Sequence, residues 1–300
     1  MPETGATRSV GDPATVRHLT TTIDGLRIFY REAGDPRRPA LVLLHGFPSS
    51  SVMYRDLIPR LAERFHVLAP DYPGFGRSDA PPPATFAYTF DHLTAIVDRF
   101  LDQQRVTRYS LFLQDYGGPI GFRLALAHPE RIQALVIQNA VAHEQGLSDL
   151  WIPRRAFWAD RAKHEPAVRA NFLSLEATRQ RHVGASPDPS RIDPETWEDE
   201  FAHLSKPGLA DIHLDLFHDY QTNVAAYPTW QKYLRDHRPP TLVVWGRHDL
   251  SFTTAGALAY GTDVPDAEIH LLDAGHFALD EACPQIAALT LDFLTRRARD

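Results

Sequence analysis

Asp115 stands where the apolar run LFLQ gives way to DYGGPIG, the pattern of a buried strand turning sharply into a helix. The side chain at the apex of such a turn projects above the strand ends, where the free amides of the following helix also face. Gly117 and Gly118 let the backbone fold tightly there, which bulkier residues would block. An acid in this position suits either a helix cap or a nucleophile. A carboxylate needs no deprotonation at neutral pH, so as a nucleophile it attacks an electrophilic saturated carbon and becomes an ester. Two later segments supply what such an ester would need. Asp249 lies in VVWGRHD and His276 in LLDAGHFALD, each just past a strand-like run. An acid behind a histidine fixes its tautomer and stabilises its positive charge, so His276 would activate the water that cleaves the ester. The backbone amides of Phe47, in LLHGFPSS, and Tyr116 would hold the oxyanion of that step.

These residues need a frame that brings distant segments to one edge. LTTTI and LRIFYREAG flank Asp24-Gly25, a dipeptide suited to a tight hairpin. ALVLLHG, HVLAPD, YSLFLQD, ALVIQNA and TLVVWGRHD are short continuous apolar runs, each ending in polar or glycine residues, with helix-like segments between most of them. This alternation predicts right-handed crossovers and a mostly parallel sheet, with functional residues at the strands' carboxyl ends. From about 141 to 238 no buried-strand run occurs; a polar, aromatic-rich helical texture predicts a lid inserted between core segments 18–140 and 239–300. A final strand, AEIHLLD, and a helix from about Cys283 to Arg297 close the chain, and residues 1–17 read as a flexible leader.

The 300 residues suffice for a full core, and the formal charge of -7 offers no basic stripe for phosphates. Nucleic acid and anionic membrane are therefore poor partner readings, and a small molecule is the better one. One cysteine, Cys283, makes neither an internal disulfide nor a thiolate cluster, which fits a reducing, cytoplasmic setting. No run of about 18 apolar residues is present. His213 and His218, beside Asp215 and Asp219, are spaced for a solvated face and not for a metal, so no metal and no cofactor is expected. A homodimer is compatible with the sequence.

LLHGFP, DYPGFGRSD (residues 71–79), the turn at Asp115, WGRHD and DAGHF together resemble the α/β-hydrolase family over roughly residues 18–298. The order nucleophile, acid, histidine is that family's order. The resemblance implies an α/β-hydrolase fold with a helical cap. An aspartate at the elbow is similar to the branch of epoxide hydrolases and haloalkane dehalogenases, and Leu113 and Gln114 before it resemble the dehalogenases. The resemblance also implies that lid residues stabilise the leaving atom. Tyr220 falls near a ring-opening tyrosine of the epoxide hydrolases, with Tyr227 and Tyr233 as weaker candidates, and Trp151, Phe157 and Trp158 join Phe47 and Tyr116 as expected pocket residues. The tryptophan usual beside a dehalogenase nucleophile is replaced by Tyr116. The arginines that grip a carboxylate in fluoroacetate dehalogenases are missing from DYGGP, so an apolar substrate is expected and a free acid is not. Epoxide hydrolysis ranks first and dehalogenation second. A lyase, a cofactor-independent oxygenase or a ligand-binding member of the fold is the alternative of another class.

Overall fold

The computed structural model describes residues 14–297, so most of the expected leader lies outside the described residues. β1 (Arg17–Ile23) and β2 (Leu26–Ala33) form an antiparallel hairpin in full register around Asp24 and Gly25. Both turn residues take positive φ (51° and 83°), the geometry that suits an Asp-Gly pair to a two-residue turn. The chain continues through β3 (Ala40–Leu44), α1 (Leu57–Leu61), β4 (His66–Pro70), α2 (Phe90–Gln103), β5 (Tyr109–Gln114), α3 (Gly117–Ala127) and β6 (Ile132–Gln138).

Between β6 and the next strand run six helices: α4 (Trp151–Ala159), α5 (Arg161–Phe172), α6 (Leu175–Val183), α7 (Glu195–Leu204), α8 (Leu209–Asp219) and α9 (Gln221–His237). The sheet then resumes with β7 (Thr241–Gly246), α10 (Thr254–Asp263), β8 (Glu268–Leu272) and α11 (Ala278–Arg297). The last helix starts five residues ahead of the expected Cys283. Its backbone leaves the helical region at Ala282, so the segment from Cys283 onward is a distinct limb.

The eight strands lie in the order β1-β2-β4-β3-β5-β6-β7-β8, with β3 to β8 parallel and β1 and β2 antiparallel. The continuous apolar runs resolve into two faces. Val42, Leu44, Leu111, Leu113, Leu135, Ile137 and Val243 belong to one core layer, whereas Leu41, Leu43, Phe112, Val136, Leu242 and Val244 belong to the other. Alternate side chains of a strand point to opposite faces, so a strand covered on both sides must be apolar at every position. Helix α2 shows how a covering element is specified. Thr89 caps it by accepting from the His92 amide, and Phe90, Leu93, Val97, Phe100 and Leu101 form one buried stripe at helical spacing. Each such side chain contributes about 1.5–3 kcal/mol on burial. β5 is central in the sheet, and its carboxyl end opens beneath the inserted helices.

Candidate active site

Asp115 follows β5 directly and adopts φ +46°, a left-handed conformation costly for a residue with a side chain. Close packing enforces it. A Cβ on Gly117 would lie 1.9 Å from the Leu44 carbonyl oxygen, and one on Gly46 would lie 2.3 Å from the Asp115 Cβ, so β3, β5 and α3 meet only because both positions lack side chains. The Phe47 amide donates to Asp115 Oδ1 at 2.9 Å, and the Tyr116 amide also bonds this carboxylate. Oδ1 therefore faces the Phe47 amide, and Oδ2 lies 3.7 Å from His276 Nε2.

His276 Nδ1 lies 2.7 Å from Asp249 Oδ2. The other oxygen of Asp249 accepts from the amides of Ser251 (2.7 Å) and Phe252 (3.0 Å). Burial pushes the Asp115 carboxyl upward, against the pull of His276 and the two amides. Burial alone would depress the His276 imidazole, but the charge and hydrogen bond of Asp249, reinforced by Asp115, outweigh it and hold His276 above its ordinary value. The structure thus brings Asp115, His276, Asp249 and the Phe47 and Tyr116 amides into one buried constellation.

Two further residues belong to it. Asn139, also at positive φ (43°), donates to Asp249 Oδ2 at 2.9 Å and to the Gly246 carbonyl, accepts from the Gly246 amide, and offers its own carbonyl to the Asp115 amide. It ties the loop carrying the acid to the turn carrying the candidate nucleophile. Its place at the end of β6 is a sequence signal for proximity, but not for this bonding. Gln114 sets its side-chain nitrogen 3.1 Å from His276 Nε2, and its buried oxygen has no partner. The amide nitrogen donates to Nε2 of the neutral imidazole, so Gln114 supports His276 in its base form.

A cavity of about 230 Å³, at the small end for ligand sites, opens over Asp115 and His276. Phe47, Tyr116 and Trp151 line it. Phe157 does not: it packs in a separate cluster with Leu214 and Phe217. Nor does Trp158, whose indole donates to the Phe217 carbonyl at 2.8 Å. Tyr220 is not among the lining residues; its ring packs against Trp151 (4.7 Å), Tyr116 and Phe90. The lining also holds two cations that the helical texture did not reveal, Arg154 of α4 and Arg181 of α6. Beyond His182 lies a larger, more open groove of about 480 Å³ with mixed charges, but none of Asp115, Asp249 or His276 reaches it.

Comparisons with known proteins agree with this geometry. The family model described as alpha/beta hydrolase fold matches residues 39–282. An uncharacterised hydrolase of Saccharomyces cerevisiae is 41% identical over 275 residues, 90% of this chain and 94% of that protein. Haloalkane dehalogenase 2 of Mycobacterium bovis is 27% identical over 89% of this chain and 91% of its own length. The solved structure of the epoxide hydrolase CorEH without ligand superposes with a TM-score of 0.75, at 20% identity, covering 94% of this chain and 99% of that one. Fold, site and relatives converge: the chain belongs to the α/β-hydrolase family and is a hydrolase.

Proposed function

We propose that this hydrolase works by covalent alkyl transfer to Asp115, with an epoxide as the preferred electrophile. The observation that carries the reading is the division of labour on one carboxylate. Oδ1 accepts from the Phe47 amide, the Tyr116 amide also bonds the carboxylate, and Oδ2 lies beside an imidazole backed by Asp249. Attack of Oδ2 on an epoxide carbon breaks the carbon–oxygen bond and leaves an alkoxide on the substrate and an ester on Asp115. Water then loses a proton to His276 Nε2 and adds to the ester carbonyl carbon, whose oxygen already sits in the hole. Collapse expels the ester's alkoxyl oxygen, which takes the proton from His276, and the carboxyl proton left on Asp115 returns to the donor that protonated the ring-opened alkoxide, so the diol is released and the carboxylate restored.

Esterification also prepares the base. Asp115 is one of the charges holding His276 high, and it disappears when the ester forms, so the imidazole becomes readier to exist as the neutral base at that moment.

The preference for an epoxide rests on the donor beside the nucleophile. Tyr116 lines the cavity, and its hydroxyl is enclosed without a hydrogen-bond partner in this structure, so a turn of the side chain toward the substrate would bring it to the leaving oxygen. Burial and the neighbouring Asp115 keep that hydroxyl protonated. A phenol can deliver a proton to a developing alkoxide, which an indole cannot. For a halide the natural donors would be the tryptophans, but the Trp151 indole donates to the Ser251 carbonyl at 3.1 Å and the Trp158 indole is likewise occupied. The test is His276→Gln incubated with styrene oxide, with its carboxylate-bearing counterpart 3-phenylglycidate, and with 1-bromohexane. Intact-mass spectrometry should show a substrate-sized adduct accumulating with an epoxide, and absence of any adduct with all three electrophiles refutes the covalent scheme.

A further inference from the structure

Arg154 and Arg181 are placed as no general packing requirement explains. Both guanidiniums line the cavity over Asp115, flanking one ring: Phe172 lies 5.5 Å from the Arg154 guanidinium carbon and 4.4 Å from that of Arg181. Arg154 also stacks on Trp151 (4.4 Å) and donates to Ser251 Oγ at 2.8 Å. Arg181 stacks on Phe47 (4.8 Å) and donates to the Phe172 carbonyl and to Thr178 Oγ1. These partners are π faces and neutral oxygens; among the described residues no carboxylate forms an ion pair with either arginine. Elsewhere in the inserted helices arginines are neutralised directly, as Arg155 is by Glu144 and Arg161 by Glu165 and Asp215.

We propose that Arg154 and Arg181 form an anion subsite that takes a carboxylate carried by the substrate, so that the electrophile attacked by Asp115 is borne on a short organic acid. The inference rests on the covalent reading of Asp115 for its chemistry, but not for its binding test. Two like charges in a confined space repel, and burial together with Arg154 already holds the Arg181 guanidinium down at about 10. An entering carboxylate relieves that repulsion and gains charge-assisted hydrogen bonds with planar donors, while Phe47, Phe172 and Trp151 cover the apolar part of the ligand. The charge balance is consistent. Arg154 and Arg181 offset Asp115 and Asp249 when His276 is neutral, so a monoanion enters without a net like charge. Esterification of Asp115 then leaves the cavity cationic and the acid held. A leaving halide is the other source of negative charge that two guanidiniums could meet, and binding separates the two.

The experiment uses the full chain carrying Asp115→Asn, which keeps the cavity shape and stops alkylation, and titrates phenylacetate, its isostere phenylacetamide, and bromide by calorimetry. Phenylacetate should bind at least tenfold more tightly than phenylacetamide. Arg154→Gln and Arg181→Gln, each added to Asp115→Asn, should lower that acid-to-amide ratio about tenfold or more, and the lysine replacements should keep part of it. Melting curves show whether each variant is folded, and the lysine pair supplies the answer if a glutamine variant is not. An acid-to-amide ratio within twofold in Asp115→Asn overturns the proposal. If bromide then competes at the concentrations phenylacetate needs, the guanidiniums serve the leaving anion instead. The covalent reading is decided separately by the His276→Gln adduct, so the failure of one is distinct from the failure of the other.

Discussion

Replacing Asn139 with alanine should separate the two chemical steps. The substitution removes three side-chain hydrogen bonds at once: 2.9 Å to Asp249 Oδ2, 3.2 Å to the Gly246 carbonyl and 2.8 Å from the Gly246 amide. A typical intramolecular hydrogen bond contributes about 1 kcal/mol net, and a buried group left without a partner costs about 1–3 kcal/mol. The Gly246 amide loses its partner, while the Gly246 carbonyl keeps the Asp249 amide (3.2 Å) and Asp249 Oδ2 keeps His276, so the stability loss should be about 2–4 kcal/mol. For a domain of this size each kcal/mol moves the melting temperature by about 2–4 °C, giving a drop of roughly 5–15 °C. The enzyme should still fold. Asp249 Oδ1 remains fixed by the Ser251 and Phe252 amides, and the acid still meets His276, so the histidine is loosened and not lost. Hydrolysis of the ester, which needs an oriented base, should slow by about 10–100-fold, whereas alkylation of Asp115 should change little. Rapid-quench mass spectrometry would then show the alkyl-enzyme building up during turnover, and calorimetry would report the melting shift. An unchanged melting temperature, or an equal slowing of both steps, refutes the role assigned to Asn139.

Tyr116→Phe should cut turnover of epoxides by about 10²–10³-fold while leaving primary alkyl bromides much less affected, because only the alkoxide needs the proton; parallel losses for both substrates would remove Tyr116 from the reaction. Tyr220→Phe should have little effect on either substrate, since Tyr220 does not line the cavity and its ring packs among Trp151, Tyr116 and Phe90. His182 of α6 sits between Glu200 of α7 (2.9 Å) and Asp280 of α11 (2.7 Å), which joins inserted helices to the core. Burial opposes its charge, but the two carboxylates prevail and raise it to about 9. The stabilisation, about 3 kcal/mol, is therefore complete below the ordinary histidine value near 6.5 and is lost as the pH rises through about 9. Melting temperature measured from pH 6 to 10 should fall more steeply in the wild type than in His182→Gln; identical slopes contradict the clamp.

Much of this was legible in the residues because it depends on local rules. Continuous apolar runs mark strands covered on both faces, and the residues just past their carboxyl ends meet by topology, so Asp115, Asp249 and His276 could be placed near one another before any coordinates. The hole amides followed from the turn at Asp115 and the glycine before Phe47. Side-chain direction in the inserted helices was not legible. α5 and α6 lack a buried apolar stripe, and an arginine in such a helix looks like a solvated one; only the packing of Phe172 between helices turns Arg154 and Arg181 inward. The placement of Tyr220 outside the cavity lining was hidden for the same reason, since one helical turn decides whether a side chain faces a cavity or the rings beside it. Nothing in the sequence marks Asn139 as a brace; that role appears when β6 and β7 are seen side by side.

The most direct test of the central claim is a single turnover in heavy-oxygen water with enzyme in excess over styrene oxide, followed by peptide mass spectrometry. If Asp115 is the nucleophile, the label enters its carboxylate, the peptide containing residue 115 gains the isotope mass, and the first diol formed carries ordinary oxygen from the enzyme. Label appearing in the diol with none in Asp115 would mean that water attacks the substrate directly, and would contradict the account.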